Sequence, residues 1–174
     1  LIRQRREQLG MRAFIAHNVQ HAQADVVDAV FAVHHGGNGH RGIHAVEQAL
    51  AHGKASLFVY PLRALVADQS FHLDRTLGSF GIRSEVLTGA STPEERAAVM
   101  AGLAAHEVDI VLTTPEYLAF HAADFAVTGS IDFAVIDEAH HVGTSKAGFR
   151  PFYARLGESI AALGSPQVLA ATAT

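Results

Sequence analysis

The sequence predicts an α/β domain, a parallel sheet with helices on both faces, and three observations carry that expectation. Short apolar runs recur at Ser56–Tyr60, Glu85–Leu87, Val108–Leu112, Ile131–Ile136 and Val168–Ala171. Each is continuous rather than alternating, as strands buried on both faces require. Between them lie amphipathic stretches of helical length, and strands alternating with helices imply crossover connections and parallel pairing.

The first run, Ser56-Leu57-Phe58-Val59-Tyr60, leads into a helix over 62–77 whose apolar face is Leu62, Leu65, Val66, Phe71, Leu73 and Leu77. After Glu85–Leu87 comes a written start signal: Thr92 as N-cap, Pro93 at the first helical position and Glu95 three after the cap. That helix runs through Val99 and Leu103 to about His106. Val108–Leu112 is followed by Thr114-Pro115, a second cap-and-proline start. Ile131–Ile136 is the most apolar run, and residues 153–163 form a last helix stopped by Gly164.

Composition bounds the function. Hydrophobic residues make up 49% and charged ones 17% of the 174, which fits a globular chain rather than a disordered one. No apolar run approaches the length of a membrane span, and the basic residues Arg3, Arg5 and Arg6 lead into no signal-peptide core, so no membrane partner and a cytoplasmic location are expected. The absence of cysteine excludes disulfides and thiolate metal sites. A net charge of −4 provides no global basic field, so any nucleic-acid contact must be local. The chain starts at Leu1 rather than Met and stops at Thr174 within a strand-like run, and it reads as a fragment.

Ligands of parallel α/β sheets bind beyond the carboxyl ends of the strands. Ile131–Ile136 delivers Asp137-Glu138-Ala139-His140 to that edge. An Asp there suits Mg²⁺, and a neighbouring acid can orient and deprotonate a water attacking a phosphate. The bland alternative is a solvated acidic turn. Thr113 and Thr114 end another run, where hydroxyls and free amides can meet a phosphate backbone, or simply cap a helix. Pro61-Leu62-Arg63-Ala64-Leu65 offers Arg63 to a phosphate, and Thr172-Ala173-Thr174 offers small hydroxyl residues beside the catalytic edge.

Taken together, in this order and spacing, the four strings resemble the first RecA-like domain of superfamily 2 DEAD/DEAH-box helicases. Pro61 to Leu65 is similar to motif Ia, Thr113 to Glu116 to motif Ib, Asp137 to His140 to motif II in its DEAH form, and Thr172 to Thr174 to motif III. The resemblance covers residues 43–174, and Phe149-Arg150-Pro151-Phe152-Tyr153 narrows it towards RecQ-type DNA helicases. In that family this segment belongs to an aromatic-rich loop joining single-stranded DNA contact to ATP hydrolysis. Phe149 and Arg150 suit base stacking and phosphate pairing, whereas Tyr153 is equally suited to core packing. Ser145 stands where the loop's tryptophan is expected, which puts the chain on a RecQ-related branch.

The resemblance implies a P-loop NTPase domain with ATP and Mg²⁺ as ligands and single-stranded or forked DNA as partner. It implies catalytic roles for Asp137 and Glu138, with Asp137 on Mg²⁺, contact between nucleotide and motif III for His140, and coupling for Thr172 and Thr174. A second RecA-like domain supplies half the ATP cleft in the family. The phosphate loop departs from the pattern. A helix from Ile43 to His52 follows the expected place, which holds Gly36, Gly37 and Gly39, but His40 occupies the lysine position and Arg41 the hydroxyl position. Literally read, the loop holds nucleotide through its amides and Arg41 while hydrolysis is severely impaired. The segment 1–42 matches poorly: Phe14 is followed by Asn18 where a glutamine reads adenine. A degenerate site and a shifted reading frame over roughly residues 15–42 both stay open. An ATP-driven motor domain and a hydrolysis-deficient binding module therefore stand side by side. A histidine metal site is a distant third: the pairs His17/His21 and His40/His44 lack a carboxylate companion.

Overall fold

The computed structural model describes residues 51–78, 81–142 and 151–172. Five strands form one sheet: β1 (Ala55–Val59), β2 (Ser84–Leu87), β3 (Ile110–Thr113), β4 (Ile131–Ile136) and β5 (Gln167–Ala170). Their order is β2-β3-β1-β4-β5, and every pairing is parallel. The helices are α1 (Arg63–Leu77), α2 (Pro93–Ala104), α3 (Pro115–Thr128), α4 (Pro151–Ala154) and α5 (Leu156–Ala162).

The chain steps from β1 past β3 to β2, then returns through β3 across β1 to β4 and on to β5. Right-handed crossovers put helices of opposite stepping direction on opposite faces. The core divides accordingly. On one side Val66, Leu73 and Leu77 of α1 meet Phe58, Tyr60, Ile110, Leu112, Phe133 and Val135. On the other, residues of α2, α3 and α5, such as Leu103, Leu118 and Ile160, pack on Leu57, Val59, Val111, Ala134 and Ile136. Alternation along β1 thus feeds two cores, which is why its run is apolar at every position but Ser56.

The local signals hold where the chemistry is local. The Thr92 hydroxyl accepts from Glu95 N–H and the Glu95 carboxylate accepts from Thr92 N–H, a complete capping box with Pro93 at the start of α2. Thr114 caps α3, and Gly129 ends it at φ 61°, in the left-handed region.

Three expectations are corrected. Phe71, read as part of α1's buried face, is 58% exposed, and Leu62 precedes the helix with its side chain out; the buried stripe needs only Val66, Leu73 and Leu77. The helix over 153–163 breaks in two at Arg155, whose φ of −98° and ψ of 2° leave the helical region. β5 is not buried on both faces: Gln167, Val168 and Ala170 are exposed, because β5 is the sheet's outer strand among the described residues. No helix of the described residues is long and apolar enough to cross a membrane.

Candidate nucleotide and nucleic-acid site

The sheet order arranges the sequence-selected residues along its carboxyl edge. Thr113 ends β3 and Thr114 follows it, Arg63 follows β1, Asp137, Glu138 and His140 follow β4, and Thr172 follows β5. Among the described residues, the candidate nucleic-acid residues therefore occupy one half of the edge and the candidate nucleotide residues the other, with β1 at the boundary. That boundary is where successive connections change direction, the usual place for a ligand crevice.

Asp137 is fixed at both ends of its backbone. Its N–H donates to the Val59 carbonyl at 3.0 Å, extending the β1–β4 ladder by one residue. Its own carbonyl accepts from the Tyr153 hydroxyl at 3.0 Å. Glu138, next along, has φ 50° and ψ 43°, left-handed backbone that costs a non-glycine residue about 1–2 kcal/mol. A single turn of 3₁₀ helix, Ala139–His141, follows.

β4 and β5 stay joined beyond the sheet. Ala171 N–H donates to Ile136 C=O, and Ala139 N–H donates to Ala171 C=O, both at 2.8 Å. This brings His140 against Thr172, with Nδ1 at 3.1 Å from Oγ1, and the same Nδ1 lies 3.0 Å from the Glu138 carboxylate. An ionised carboxylate only accepts, so the partner chemistry assigns the proton to Nδ1, with the threonine oxygen sharing it. Glu138, His140 and Thr172 thus form one polar unit across the ends of two strands.

Tyr60 lies at the end of β1 beside this unit. Burial, with the Asp137 charge adding to it, pushes its phenol well above the usual tyrosine range.

The other half of the edge is more enclosed. Thr113 is fully buried and its hydroxyl donates to Leu87 C=O at 2.6 Å, bridging β3 to β2. The Thr114 hydroxyl accepts from Tyr117 N–H at 3.4 Å as the α3 cap. Thr113, Thr114, Pro115 and Tyr117 are buried, and Glu116 is half-buried, so neither threonine hydroxyl faces solvent. Arg63 is exposed at the first position of α1. Gly36, Gly37, Gly39, His40, Arg41, Phe149, Arg150 and Thr174 lie outside the described residues, as do the histidine pairs His17/His21 and His40/His44. Among the described residues no group of three or more His, Asp or Glu is arranged to hold a metal.

Tyr153 packs in the core as one of its two sequence readings has it, and what the sequence reading missed is its bond to Asp137 and the ring contacts of His141. Tyr153 is 1% exposed, so it packs in the core and also bonds Asp137. The detectable signal is that a buried tyrosine, unlike a phenylalanine, needs a partner for its hydroxyl. His141, which in the sequence has no role, sets its ring 4.0 Å from His140 and edge-on to Tyr153 at 5.5 Å, centroid to centroid.

Comparison with known proteins agrees with this geometry. Residues 41–174 match the DEAD/DEAH box helicase family. The chain is 32% identical over 123 residues to "ATP-dependent DNA helicase Q-like 5" of Arabidopsis thaliana, covering 68% of this chain and 13% of that protein. It is 34% identical over 119 residues to "Probable ATP-dependent DNA helicase RecS" of Bacillus subtilis, covering 68% and 23%. The chain therefore spans less than a quarter of these relatives. In fold it is similar to the Mycobacterium smegmatis helicase Lhr, with TM-score 0.59, 24% identity, and coverage of 77% of this chain and 19% of that one. The hypothetical ATP-dependent RNA helicase of Sulfolobus tokodaii matches at TM-score 0.54 and 20% identity, covering 80% and 39%. The parallel sheet with helices on both faces is that of a RecA-like domain, and the chain belongs to the DEAD/DEAH box helicase family, with RecQ-like helicases among its relatives.

Proposed function

We propose that this chain is the first nucleotide-binding domain of an ATP-driven DNA motor. The observation that carries the reading is the joined unit at the ends of β4 and β5: Asp137 and Glu138 side by side, with Glu138 tied through His140 to Thr172. The donor chemistry fits Mg²⁺, a hard cation that takes carboxylate oxygens, and Asp137 would hold it. When bound, Mg²⁺ neutralises charge on the phosphates of ATP. Glu138 orients the attacking water and takes its proton. His140 keeps the Glu138 carboxylate in one orientation and communicates its position to Thr172. Along the same edge, Arg63 meets a phosphate backbone, and the family resemblance assigns Phe149 and Arg150 to single-stranded bases. The solved Lhr structure is described as bound to ssDNA and AMP-PNP, which supports these two ligand classes.

The test is ATP hydrolysis with and without single-stranded DNA, in the unsubstituted chain and in Glu138→Gln. DNA-stimulated hydrolysis abolished by Glu138→Gln supports the reading. DNA binding with no hydrolysis in either protein favours a second one, a hydrolysis-deficient domain that grips nucleic acid or a partner protein. His40 and Arg41, in place of a lysine and a hydroxyl residue, favour that second reading. In both, the 174 residues alone do not unwind a duplex, because the family's second RecA-like domain completes the cleft.

A further inference from the structure

We propose that Tyr153 is a positioning residue for the two carboxylates: its hydroxyl holds the Asp137–Glu138 peptide in the orientation that keeps Glu138 in left-handed backbone. The peptide joining these residues carries the Asp137 carbonyl at one end and the Glu138 N–H at the other. Its plane is set by the torsions on either side, Asp137 ψ and Glu138 φ. The Tyr153 hydroxyl donates to that carbonyl at 3.0 Å, and Glu138 φ is 50°. A non-glycine residue does not hold this conformation unaided. The restraint comes from outside the turn, because Tyr153 lies on α4, sixteen positions along the chain.

The tyrosine itself cannot turn away. It is 1% exposed and sits in the core with Leu156 and Ile160, and its ring meets the edge of His141, whose ring stacks on His140. One phenol thereby reaches the unit from two directions, through a hydrogen bond to its backbone and through rings to its histidine. Displacing the peptide plane rotates the direction in which Glu138 leaves the chain, and with it the carboxylate bonded to His140. Tyr153 touches neither the nucleotide nor the water, so its effect is on the geometry of Glu138 and not on nucleotide affinity.

Tyr153→Phe in the full chain removes the hydroxyl and keeps the ring. Tyr117→Phe is the control, since the Tyr117 hydroxyl is buried without a hydrogen-bond partner. The first readout is conformational: the Glu138 amide-to-Hα coupling and Cα shift by NMR. These leave left-handed values in Tyr153→Phe and stay unchanged in Tyr117→Phe. The second readout is kinetic and rests on the proposed ATPase reading: kcat falls by roughly fivefold to tenfold, the loss expected of one hydrogen bond, while KM is unchanged.

A Glu138 signal that is the same in Tyr153→Phe and the unsubstituted chain overturns the proposal, and so does a loss confined to KM. If the unsubstituted chain hydrolyses no ATP, the motor reading fails, and the Glu138 signal still decides this one. If Tyr153→Phe does not fold, the unsubstituted chain decides: its Tyr153 Cζ resonance in mixed H₂O and D₂O splits for a bonded, slowly exchanging hydroxyl. A single averaged line overturns the proposal.

Discussion

Replacing Thr113 by valine separates two roles that the sequence left open for this residue. The Thr113 side chain is wholly buried and its hydroxyl donates to Leu87 C=O at 2.6 Å, from the last residue of β3 to the last of β2. Valine keeps the volume and the β-branched fit to the strand, so the change removes one bond and leaves the carbonyl short of a donor. A buried hydrogen bond contributes about 0.5–1.5 kcal/mol, and an acceptor left unmatched costs about 1–3 kcal/mol. A loss of about 1–2 kcal/mol follows, which in a chain of this size lowers Tm by roughly 2–8 °C. Thermal unfolding followed by circular dichroism measures it, beside a titration of single-stranded DNA. The expected result is a lower Tm with unchanged DNA affinity at temperatures where the fold persists. An unchanged Tm with DNA affinity reduced about tenfold or more would mean that the hydroxyl meets phosphate directly, and the structural assignment would be refuted.

Thr92→Ala dismantles the capping box of α2 and is expected to destabilise the chain by about 1 kcal/mol in urea unfolding, with the slope of the transition unchanged. Arg63→Ala, at an exposed position, leaves Tm alone, weakens single-stranded DNA binding equally across sequences, and reduces the salt dependence of affinity by about one ion; a sequence-selective loss would contradict the phosphate role. Tyr60 supplies the pH dependence. Its folded pKa is raised by burial and by Asp137, so its contribution is complete below the unfolded tyrosine value of about 10 and is lost as pH rises beyond it. Stability should therefore fall more steeply above about pH 10 in the unsubstituted chain than in Tyr60→Phe. Parallel alkaline curves would exclude Tyr60 as the cause.

The sheet was legible because parallel strands buried on both faces must be largely apolar, and β1 and β3, buried at every position, carry only Ser56 and Thr113 as polar residues. The same rule misjudged β5, whose side chains are mostly exposed, since composition does not tell an outer strand from an inner one. Phe71 was misplaced for a related reason. A face of α1 wide enough to include it exceeds what the sheet covers, and the residue is left outside with Arg75 against its ring. At the site, the place of Asp137 and Glu138 at the end of β4 was readable, because an apolar strand must end where they begin, whereas their role was implied by the family resemblance. The pairing of His140 with Thr172 is different. It needs β5 beside β4, and only the family resemblance pointed to that before the sheet order was known. The Tyr153 bond to Asp137 had no local signal beyond an unexplained buried hydroxyl.

Asp137 is held by Val59 and Tyr153, Glu138 by His140, and His140 by Thr172. On the proposed reading, the activity of the chain turns on what the Gly-rich segment of residues 36–41 brings to these carboxylates. His40→Lys together with Arg41→Thr restores a fixed positive charge and a hydroxyl where the family pattern expects them. If the departure at these positions is what limits hydrolysis, the double substitution raises DNA-stimulated ATP turnover by at least about tenfold, within the range that single charge-stabilising groups contribute. Adding Glu138→Gln to the restored chain is then expected to abolish the gain, because Glu138 is the proposed water-activating carboxylate. A restored chain that binds ATP and still does not turn it over would refute this expectation and move the defect to the β4–β5 unit or to the half of the cleft that the family's second RecA-like domain supplies. Supplying that domain in trans distinguishes the last two: renewed turnover locates the defect in the second domain's half of the cleft, and continued silence locates it at Glu138 and its partners.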